Sequence, residues 1–343
     1  MKAIVFYEPG GIDTLKYEEN YPDPQIQENE VLVRIKATSL NHLDIWIRNG
    51  IPAYKAPMPH IGGCDGAGII ERMGSQVTGF KIGDEVIISP SQPCFQCEFC
   101  RMGEESTCLN FKIFGGHTQG AFAEYAVVSS THVFPKPKSI SFEEAAAFPL
   151  VYQTAWHMLI NRAKLRPGET VLILGASSGI GTAAIQIAKL VSAKVIVATS
   201  SDRKLALCKE LGADEGIDYT QADLIERIKG LTQGRGVDVV FEHVGPATFD
   251  KSIKSLSKNG RLVFCGATTG PEVKIDLRYI YSRQLNILGS MSGTRNELLR
   301  ITELVSQGKL KPKIHSIHPL KEIKQAENIM ESRQVFGKLV LTC

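Results

Sequence analysis

The segment Thr170–Val191 constrains the fold of this chain more than any other part of its 343 residues. An apolar, strand-like run leads into a turn that contains Gly175, Gly179 and Gly181, and a helical pattern follows the turn. The apolar face of that helix carries Ala184, Ile187, Ala188 and Val191. A buried strand that passes through a short turn into a helix begins a βαβ unit, so the segment predicts a parallel sheet.

Strand-like runs and helical patterns continue to alternate after about residue 152. We predict strands at Val171–Leu174, Lys194–Ala198, Val237–Phe241 and Arg261–Phe264, and helices at Thr182–Val191, Asp202–Leu211 and Thr248–Leu256. This alternation is typical of an α/β domain in which helices cover both faces of a doubly wound parallel sheet.

The preceding part of the chain has a different character. Val31–Ala37 alternates apolar with polar residues, Asp84–Ile88 and Phe122–Val128 are further strand candidates, and glycine and proline are frequent. After about residue 290 one helix, Arg295–Gln307, and one strand, Lys338–Thr342, are predicted. The length suits roughly two domains of about 150 residues each, so we expect a β-rich domain beside the α/β domain.

The glycine turn also indicates a ligand. Glycines let a backbone approach a pyrophosphate closely, and the N-terminus of the following helix offers free N–H groups and the positive end of its dipole. We therefore interpret the turn as a dinucleotide site; glycines needed only for packing are the alternative. The cofactor contacts predicted here are Gly175, Ser178, Gly179, Ile180 and Gly181.

The end of the second strand of this unit bears on the choice of cofactor. A site specific for NAD has a carboxylate there, whereas this sequence has Thr199 and Ser200, followed by Arg203 and Lys204. Hydroxyls and cations suit a 2′-phosphate, so we favour NADP(H) over NAD(H). Two alternatives remain: Ser201 or Asp202 caps the next helix, or Asp202 turns toward a ribose.

Four of the eight cysteines lie close together in the sequence, at Cys94, Cys97, Cys100 and Cys108. Four thiolates within fifteen residues suit one tetrahedral Zn²⁺ with no open position, which is a structural site. An iron–sulfur cluster and a redox disulfide pair are the alternatives, and the spacing matches neither common iron-cluster pattern. We predict one structural zinc, in a lobe of about residues 91–112.

Composition limits the partners. The formal net charge is only +3 and no basic run concentrates it, so we expect no nucleic-acid partner. The first apolar run is too short for a signal peptide, and glycine, proline or polar residues interrupt the long uncharged stretches at 145–161 and 170–188. We expect a soluble, cytoplasmic protein with a small-molecule substrate and no membrane partner.

The whole chain resembles the zinc-containing alcohol dehydrogenases of the medium-chain dehydrogenase/reductase superfamily. The resemblance rests on the cysteine lobe, the glycine turn and four short motifs: Gly63-Cys-Asp-Gly-Ala-Gly68, Gly83-Asp-Glu-Val86, Gly120-Ala-Phe-Ala-Glu-Tyr125 and Gly337-Lys-Leu-Val-Leu341. It implies a GroES-like catalytic domain formed by residues 1–151 and 292–343, and a Rossmann domain at 152–291 inserted between them.

The sequence departs from this family at the catalytic metal. Alcohol-oxidising members bind a catalytic zinc through Cys, His and a second Cys, where this chain has Asn41, Cys64 and Leu150. An amide is a weak zinc ligand and leucine is none. The same replacements resemble the zinc-free quinone oxidoreductases and enoyl reductases of the superfamily. Only His60, His117 and His157 could supply a nonstandard metal site, although each is more simply a surface or hydrogen-bonded histidine.

The resemblance also implies roles for individual residues. Asn41 would donate to the substrate oxygen, Tyr54 would donate a proton, Asp44 and Asp65 would orient their neighbours, and Cys64 is either a packing residue or a substrate-facing thiol. Further cofactor contacts are implied at the domain junction, the phosphates and the strand ends: His42, Thr154, His243, Val244, Gly266 and Lys338.

We therefore expect an NAD(P)H-dependent oxidoreductase that transfers hydride to a quinone, an enone or another activated C=C or carbonyl group. The alternatives are a zinc-dependent alcohol dehydrogenase and, more remotely, a non-catalytic NADPH-binding module. A homodimer or homotetramer is expected from the resemblance, and the apolar segment Leu285–Met291 is either a sheet edge that pairs across a dimer or a core strand.

Overall fold

The computed structural model describes residues 1–343 and divides the chain into two units. The first comprises Met1–Leu150 and Thr294–Cys343, and the second comprises Val151–Gly293. The boundaries predicted from the sequence are 151/152 and 291/292. None of the helices combines the length and the apolar composition that a membrane crossing requires.

Seventeen strands form the sheets. They are β1 Ala3–Val5, β2 Lys16–Glu18, β3 Glu30–Ser39, β4 Asp65–Met73, β5 Glu85–Ile88, β6 Ser91–Gln92, β7 Lys112–Ile113, β8 Tyr125–Ser129, β9 Val133–Pro135, β10 Thr170–Ile173, β11 Lys194–Thr199, β12 Glu215–Asp218, β13 Val237–Glu242, β14 Leu256–Phe264, β15 Asn286–Gly289, β16 Ile314–Pro319 and β17 Lys338–Thr342.

Eleven α-helices accompany them, together with one π-helical turn at His157–Arg162 and four short 3₁₀ turns. The helices are α1 His42–Arg48, α2 Glu98–Arg101, α3 Phe142–Ala146, α4 Pro149–Trp156, α5 Gly179–Leu190, α6 Asp202–Glu210, α7 Leu224–Leu231, α8 Pro246–Ser255, α9 Leu277–Arg283, α10 Arg295–Ser306 and α11 Ile323–Glu331.

A seven-stranded sheet organises the first unit. Its order is β16-β17-β3-β4-β5-β9, and β8 also pairs with β3. The bent central strand β3 pairs antiparallel with β4, β8 and β17, and two register shifts interrupt its pairing with β4. Apolar residues alternate along β3, so Val31, Val33 and Ile35 enter one buried cluster with residues of β4, β5 and β8.

The second unit contains a parallel six-stranded sheet in the order β12-β11-β10-β13-β14-β15. Renumbered from the first strand, this is the order 3-2-1-4-5-6 of the dinucleotide-binding Rossmann fold. The strand order reverses between β10 and β13, which marks the crevice in which such folds bind ligands. The predicted fold class, a β-rich GroES-like domain plus a Rossmann domain, is confirmed.

Many elements were not predicted from the sequence, among them β12, α7 and α11. β12 reads Glu215-Gly-Ile-Asp218, with only Ile217 buried, because it is an edge strand. α7 and α11 are short amphipathic helices in polar stretches, and only a few residues of each are buried. β15 lies at the other edge of the sheet with its ends exposed, and its pairing with a second chain stays a prediction.

Candidate active site

A buried carboxylate, Asp65, organises the predicted catalytic residues of the first unit. Asp65 begins β4 and has no exposed surface. Its Oδ2 accepts hydrogen bonds from Ser39 Oγ at 3.1 Å, Asn41 Nδ2 at 2.9 Å and Lys338 Nζ at 3.2 Å. Its Oδ1 accepts from the backbone N–H of Leu150 at 2.9 Å. One carboxylate therefore connects the end of β3, the start of α1, the start of α4 and β17.

Asn41 precedes the first residue of α1 and has its whole amide engaged. Its Oδ1 accepts from Lys338 Nζ at 2.5 Å, while its Nδ2 donates to Asp65 at 2.9 Å and to the carbonyl of Ser39 at 3.4 Å. The expected role, donation to a substrate oxygen, would need one of these amide protons. The structure gives both of them to protein acceptors instead, because Asn41 lies beside the buried carboxylate.

Lys338 also lies elsewhere than expected. Its ammonium donates to the carbonyl of Leu40 at 2.8 Å, to Asn41 and to Asp65, and the residue is only 4% exposed. β17 pairs antiparallel with the end of β3, and this register places Lys338 next to Leu40 and Asn41. All three ammonium protons are used inside the first unit, which differs from the pyrophosphate contact that the resemblance implied.

Asp44 connects the start of α1 to Cys64. Its Oδ2 accepts from the Asn41 N–H at 2.7 Å, and its Oδ1 accepts from the Cys64 N–H at 3.1 Å. Burial raises the pKa of Asp44 to about 6, although both hydrogen bonds favour the charged form. Cys64 is fully buried, and burial followed by the nearby Asp44 carboxylate raises the pKa of its thiol well above the ordinary value. This thiol is therefore held neutral.

Tyr54 is half-buried against the apolar cluster that contains Cys64. Burial, and secondarily Cys64, raises the pKa of its phenol, which keeps the hydroxyl protonated. Its ring centroid lies 5.0 Å from that of His117, whose Nδ1 accepts from the Ile113 N–H at 3.0 Å. The neighbouring His60 is fully buried, with Nε2 3.0 Å from the carbonyl of Gly115. One ring nitrogen of each histidine is therefore bonded to the backbone.

The residues at the expected catalytic-zinc positions do not fit that ion. Asn41 Oδ1 already accepts from an ammonium group, and Leu150 offers only a backbone N–H, which is bonded to Asp65. The one group of three or more His, Cys, Asp or Glu side chains that could hold a metal is the cysteine cluster. His60, His117 and His157 do not belong to such a group.

The glycine turn of the second unit has the geometry of a dinucleotide site. Gly175 adopts φ +55°, and a Cβ there would lie 2.8 Å from the ring of His243. A Cβ on Gly181 would lie 2.6 Å from both Ala176 Cα and the Gly175 carbonyl oxygen, so only glycine lets α5 pack this closely on β10. Ser178 precedes α5 and its hydroxyl accepts from the Gly181 N–H at 3.1 Å. Gly179 and Ile180 form the half-exposed first turn of the helix.

The end of β11 places hydroxyls and cations together. Thr199 is buried, and its hydroxyl donates to the carbonyl of Ser201 at 3.3 Å. Ser201 caps α6, as one of the alternatives held, by accepting from the Lys204 N–H at 3.4 Å. Lys204 Nζ lies 3.5 Å from Ser200 Oγ, and burial lowers the pKa of its ammonium. Arg203 is exposed on the first turn of α6.

The carboxyl end of β13 carries a residue that sequence reasoning missed, Glu242. It is fully buried and accepts from the N–H groups of Val244 and Gly245 at 2.6 and 3.1 Å. An acidic residue directly after the apolar run Val239–Phe241 was the available signal in the sequence. His243 lies beside it, and burial lowers the pKa of its imidazole. Gly266 follows the end of β14, and Thr154 is buried in α4.

The four predicted metal ligands meet in one cluster. The sulfur atoms of Cys94, Cys97, Cys100 and Cys108 all lie within 4.8 Å of one another, and none forms a disulfide. Backbone N–H groups donate to these sulfur atoms, among them that of Cys97 to Cys94 Sγ at 3.4 Å and that of Cys94 to Cys108 Sγ at 3.2 Å. Backbone N–H groups lower the pKa of Cys94 to about 6. This set suits a tetrahedral metal ion bound by thiolates.

Comparison with known proteins agrees with this architecture. The sequence model of the alcohol dehydrogenase GroES-like domain matches residues 27–138, and that of the zinc-binding dehydrogenases matches residues 179–307. Among solved structures, an NAD-dependent alcohol dehydrogenase superimposes with a TM-score of 0.96 and 42% identity, covering 100% of both chains.

Curated relatives include enzymes that are named for substrates other than alcohols. The acryloyl-coenzyme A reductase of Sulfurisphaera tokodaii is 34% identical over 99% of this chain and 99% of its own length. The quinone oxidoreductase of Rattus norvegicus is 31% identical over 99% of this chain and 97% of its own length. Relatives of the same overall length therefore act on different substrate classes.

Proposed function

Since the chain belongs to the zinc-type alcohol dehydrogenase family of the medium-chain dehydrogenase/reductase superfamily and is an NAD(P)-dependent oxidoreductase, we propose that it is a reductase of activated double bonds or quinones. In this proposal the only metal is a structural zinc on the four cysteines. The preferred cofactor is NADPH.

The observation that carries the proposal is the hydrogen bond of 2.5 Å from Lys338 Nζ to Asn41 Oδ1. Through this bond the buried ammonium group of Lys338 occupies the oxygen of Asn41, and Asn41 stands at the position where alcohol-oxidising relatives have a metal ligand. In the metal-dependent reaction of alcohols, a Lewis acid lowers the pKa of the alcohol from about 16 toward neutrality. An activated C=C bond or a quinone needs none, because it accepts hydride directly.

When bound, NADPH would supply the hydride, and the chain would supply the proton and the orientation of the substrate. Tyr54 is the candidate proton donor, since its phenol is protonated at neutral pH and packs against the apolar cluster that contains Cys64. Asn41 would act indirectly, by joining the start of α1 to Asp65 and Lys338. The neutral Cys64 thiol would line the site as a small apolar group.

NADPH is favoured by the end of β11. Thr199 stands where a carboxylate would bind the ribose of NAD, and Ser200, Arg203 and Lys204 follow. Hydroxyls and two cations would stabilise a 2′-phosphate, whereas a carboxylate at Thr199 would repel it. The N-terminus of α5 and the close approach that Gly181 permits suit the pyrophosphate.

The test is a panel of cofactors and substrates on protein whose zinc content has been measured. We expect one zinc per chain, faster turnover with NADPH than with NADH, and reduction of an enone or quinone. The Cys100→Ser variant should lose the zinc. Reduction of neither substrate class, by protein that binds NADPH and contains its zinc, would contradict the proposal.

Alcohol dehydrogenation is the second candidate, favoured by the 42% identity to an NAD-dependent alcohol dehydrogenase. It predicts two zinc ions per chain and oxidation of ethanol or benzyl alcohol that chelators abolish. The same panel therefore distinguishes the two candidates.

The Asn41→Cys variant gives a sharper comparison. It restores one thiolate at the first metal-ligand position, but Lys338 remains in place and Leu150 still offers no donor side chain. We expect no benzyl alcohol oxidation by this variant, even with added zinc. Measurable alcohol turnover would show that one ligand is enough to assemble the metal site, against the proposal.

A further inference from the structure

The buried carboxylate of Glu242 accepts hydrogen bonds from four different residues. Besides the N–H groups of Val244 and Gly245, its carboxylate accepts from Thr248 Oγ1 at 2.9 Å and from Ser252 Oγ at 2.5 Å. Its oxygens thus hold the turn that follows β13 on one side and the first two turns of α8 on the other. A buried carboxylate is costly unless it is bonded in this way.

The turn that Glu242 holds is fixed from its other face as well. Thr269 donates to the Val244 carbonyl through its N–H at 2.9 Å and its hydroxyl at 2.8 Å, and Thr268 Oγ1 donates to the His243 carbonyl at 3.0 Å. Gly245 adopts φ +93°, a conformation that glycine tolerates. The N–H groups of Val244 and Gly245 donate to Glu242, and the carbonyls of the same turn accept from Thr268 and Thr269. These bonds restrict the backbone conformation of the turn.

The same turn also fixes the glycine turn of the cofactor site. His243 Nε2 lies 3.0 Å from the Leu174 carbonyl, at the end of the neighbouring strand β10. A carbonyl only accepts, so Nε2 carries the proton. The imidazole fills the space over Gly175, where a Cβ would lie 2.8 Å from the ring. Any movement of His243 would therefore be transmitted to the backbone of Gly175.

We propose that Glu242 is a positioning residue for the nicotinamide half of the bound cofactor. Strands β10–β12 form the first mononucleotide-binding half of the Rossmann sheet and β13–β15 form the second, so the 243–245 turn belongs to the second nucleotide. Glu242 does not touch the cofactor in this proposal; it acts through the N–H groups of Val244 and Gly245. The inference rests on the proposed cofactor and is independent of the proposed substrate.

The test compares two ligands that differ in the nicotinamide half. NADPH occupies both halves of the site, whereas adenosine 2′,5′-bisphosphate occupies only the first. Their dissociation constants are measured by calorimetry for the wild type, Glu242→Ala and Glu242→Gln; for a wild type that prefers NADH, the pair is NADH and ADP. Ser252→Ala is the matched control, since it removes a hydrogen bond to the same carboxylate from the α8 side.

For Glu242→Ala we expect NADPH binding to weaken about tenfold or more, because the turn is no longer pre-organised, while the bisphosphate binds as in the wild type. Glu242→Gln keeps an acceptor oxygen for both N–H groups and should restore NADPH binding. Ser252→Ala should lower the melting temperature alone. If Glu242→Ala does not fold, Glu242→Asp, whose carboxylate is withdrawn by one methylene, replaces it.

Equal weakening of both ligands, unchanged binding of both, or failure of Glu242→Gln to restore NADPH binding would each overturn the inference. No outcome depends on a substrate. If the wild type reduces no quinone or enone, the proposed function is refuted, but the binding comparison can still be made. If the wild type is an active reductase and the variants bind NADPH normally, the role of Glu242 is refuted and the proposed function stands.

Discussion

At the scale of single residues, the site is a buried ion pair, Lys338 with Asp65, completed by the amide of Asn41. Asp65 is fully buried and Lys338 is 4% exposed, so neither charge is solvated by bulk water. The two residues are 273 positions apart in the sequence, and the registers of β4 and β17 against β3 bring them together. The motifs that contain Lys338 and Asp65 could be recognised in the sequence, but the ion pair between the two residues could not be predicted from it.

Breaking this pair should be strongly destabilising. Lys338→Met leaves a buried carboxylate without its countercharge, and we expect the free energy of unfolding to fall by about 3–5 kcal/mol. In the double variant with Asp65→Asn the loss should be smaller than the sum of the two single losses, as measured by denaturant unfolding. Additive losses would show that the ammonium and the carboxylate do not interact.

The raised pKa of the Asp44 carboxyl group predicts that the free energy of unfolding depends on pH. Burial raises its pKa from 3.8 to about 6, so protons bind more tightly to the folded chain than to the unfolded one. This contribution is present below the unfolded pKa and is lost as the pH rises through about 6; its full size is about 3 kcal/mol. Relative to Asp44→Asn, which cannot ionise, the wild type should become less stable between about pH 4 and pH 7.

Urea unfolding of both proteins across that range measures the difference. A difference that stays constant with pH would mean that the hydrogen bonds from Asn41 and Cys64 offset the burial of the charge, and a difference that grows with pH would mean that they outweigh it.

At the scale of elements, the packing of α5 on β10 depends on Gly181. Gly181→Ala would place a Cβ 2.6 Å from backbone atoms of Ala176 and Gly175, so α5 must shift. We expect a loss of about 1–3 kcal/mol in stability and at least about tenfold weaker NADPH binding, measured by calorimetry.

Gly230→Ala is the matched control. Gly230 lies within α7, and no neighbouring atom comes within 4 Å of the position that a Cβ would occupy there. The substitution should stabilise the protein by about 1 kcal/mol, because alanine favours the helix, and cofactor affinity should not change. Similar behaviour of the two variants would contradict the proposed role of Gly181.

Elements with a strong period could be predicted from the sequence, and those stabilised mainly by their neighbours could not. β10 and β11 are nearly continuous apolar runs and Asp238 alone interrupts the run of β13, since parallel strands are buried on both faces. The predicted positions of these strands lie within about one residue of the observed ones. β4 begins Asp65-Gly-Ala-Gly68, and glycine is depleted in strands, so its propensity was low. There Gly66 and Gly68 pack against side chains and backbone too closely for a Cβ.

The candidate site divides in the same way. The four cysteines are close in sequence, so their spacing alone predicted their cluster, and the glycine turn is equally local. The partners of Asn41 and the role of Glu242 depend on which strands pair and in what register, which a motif does not encode. Local chemistry could be predicted; long-range hydrogen bonding could not.

At the scale of the whole molecule, the cysteine lobe should depend on its metal. Met102 and Leu109 are each 65% exposed, so the lobe has little apolar core of its own. Removal of zinc by a chelator, or Cys100→Ser, should raise amide hydrogen exchange across about residues 93–111 and leave β10–β13 protected. Cys343→Ser, at the other end of the chain, is the matched control and should change neither region.

Unchanged exchange in the lobe after metal removal would contradict a structural role for zinc. Loss of protection in β10–β13 as well would mean that the two units do not unfold independently, because those strands belong to the second unit.

The position of β17 has a consequence for how the protein is made. Leu341 pairs with Thr38, and β17 fills the place between β3 and β16. Residue 38 leaves the ribosome long before residue 341. The end of the nascent β3, at residues 37–39, therefore lacks the partner strand β17 while the entire Rossmann unit emerges and folds. Residues 338–342 therefore complete a sheet that residues 30–39 begin, and a chain stopped shortly before Lys338 would leave that edge free to pair with other molecules.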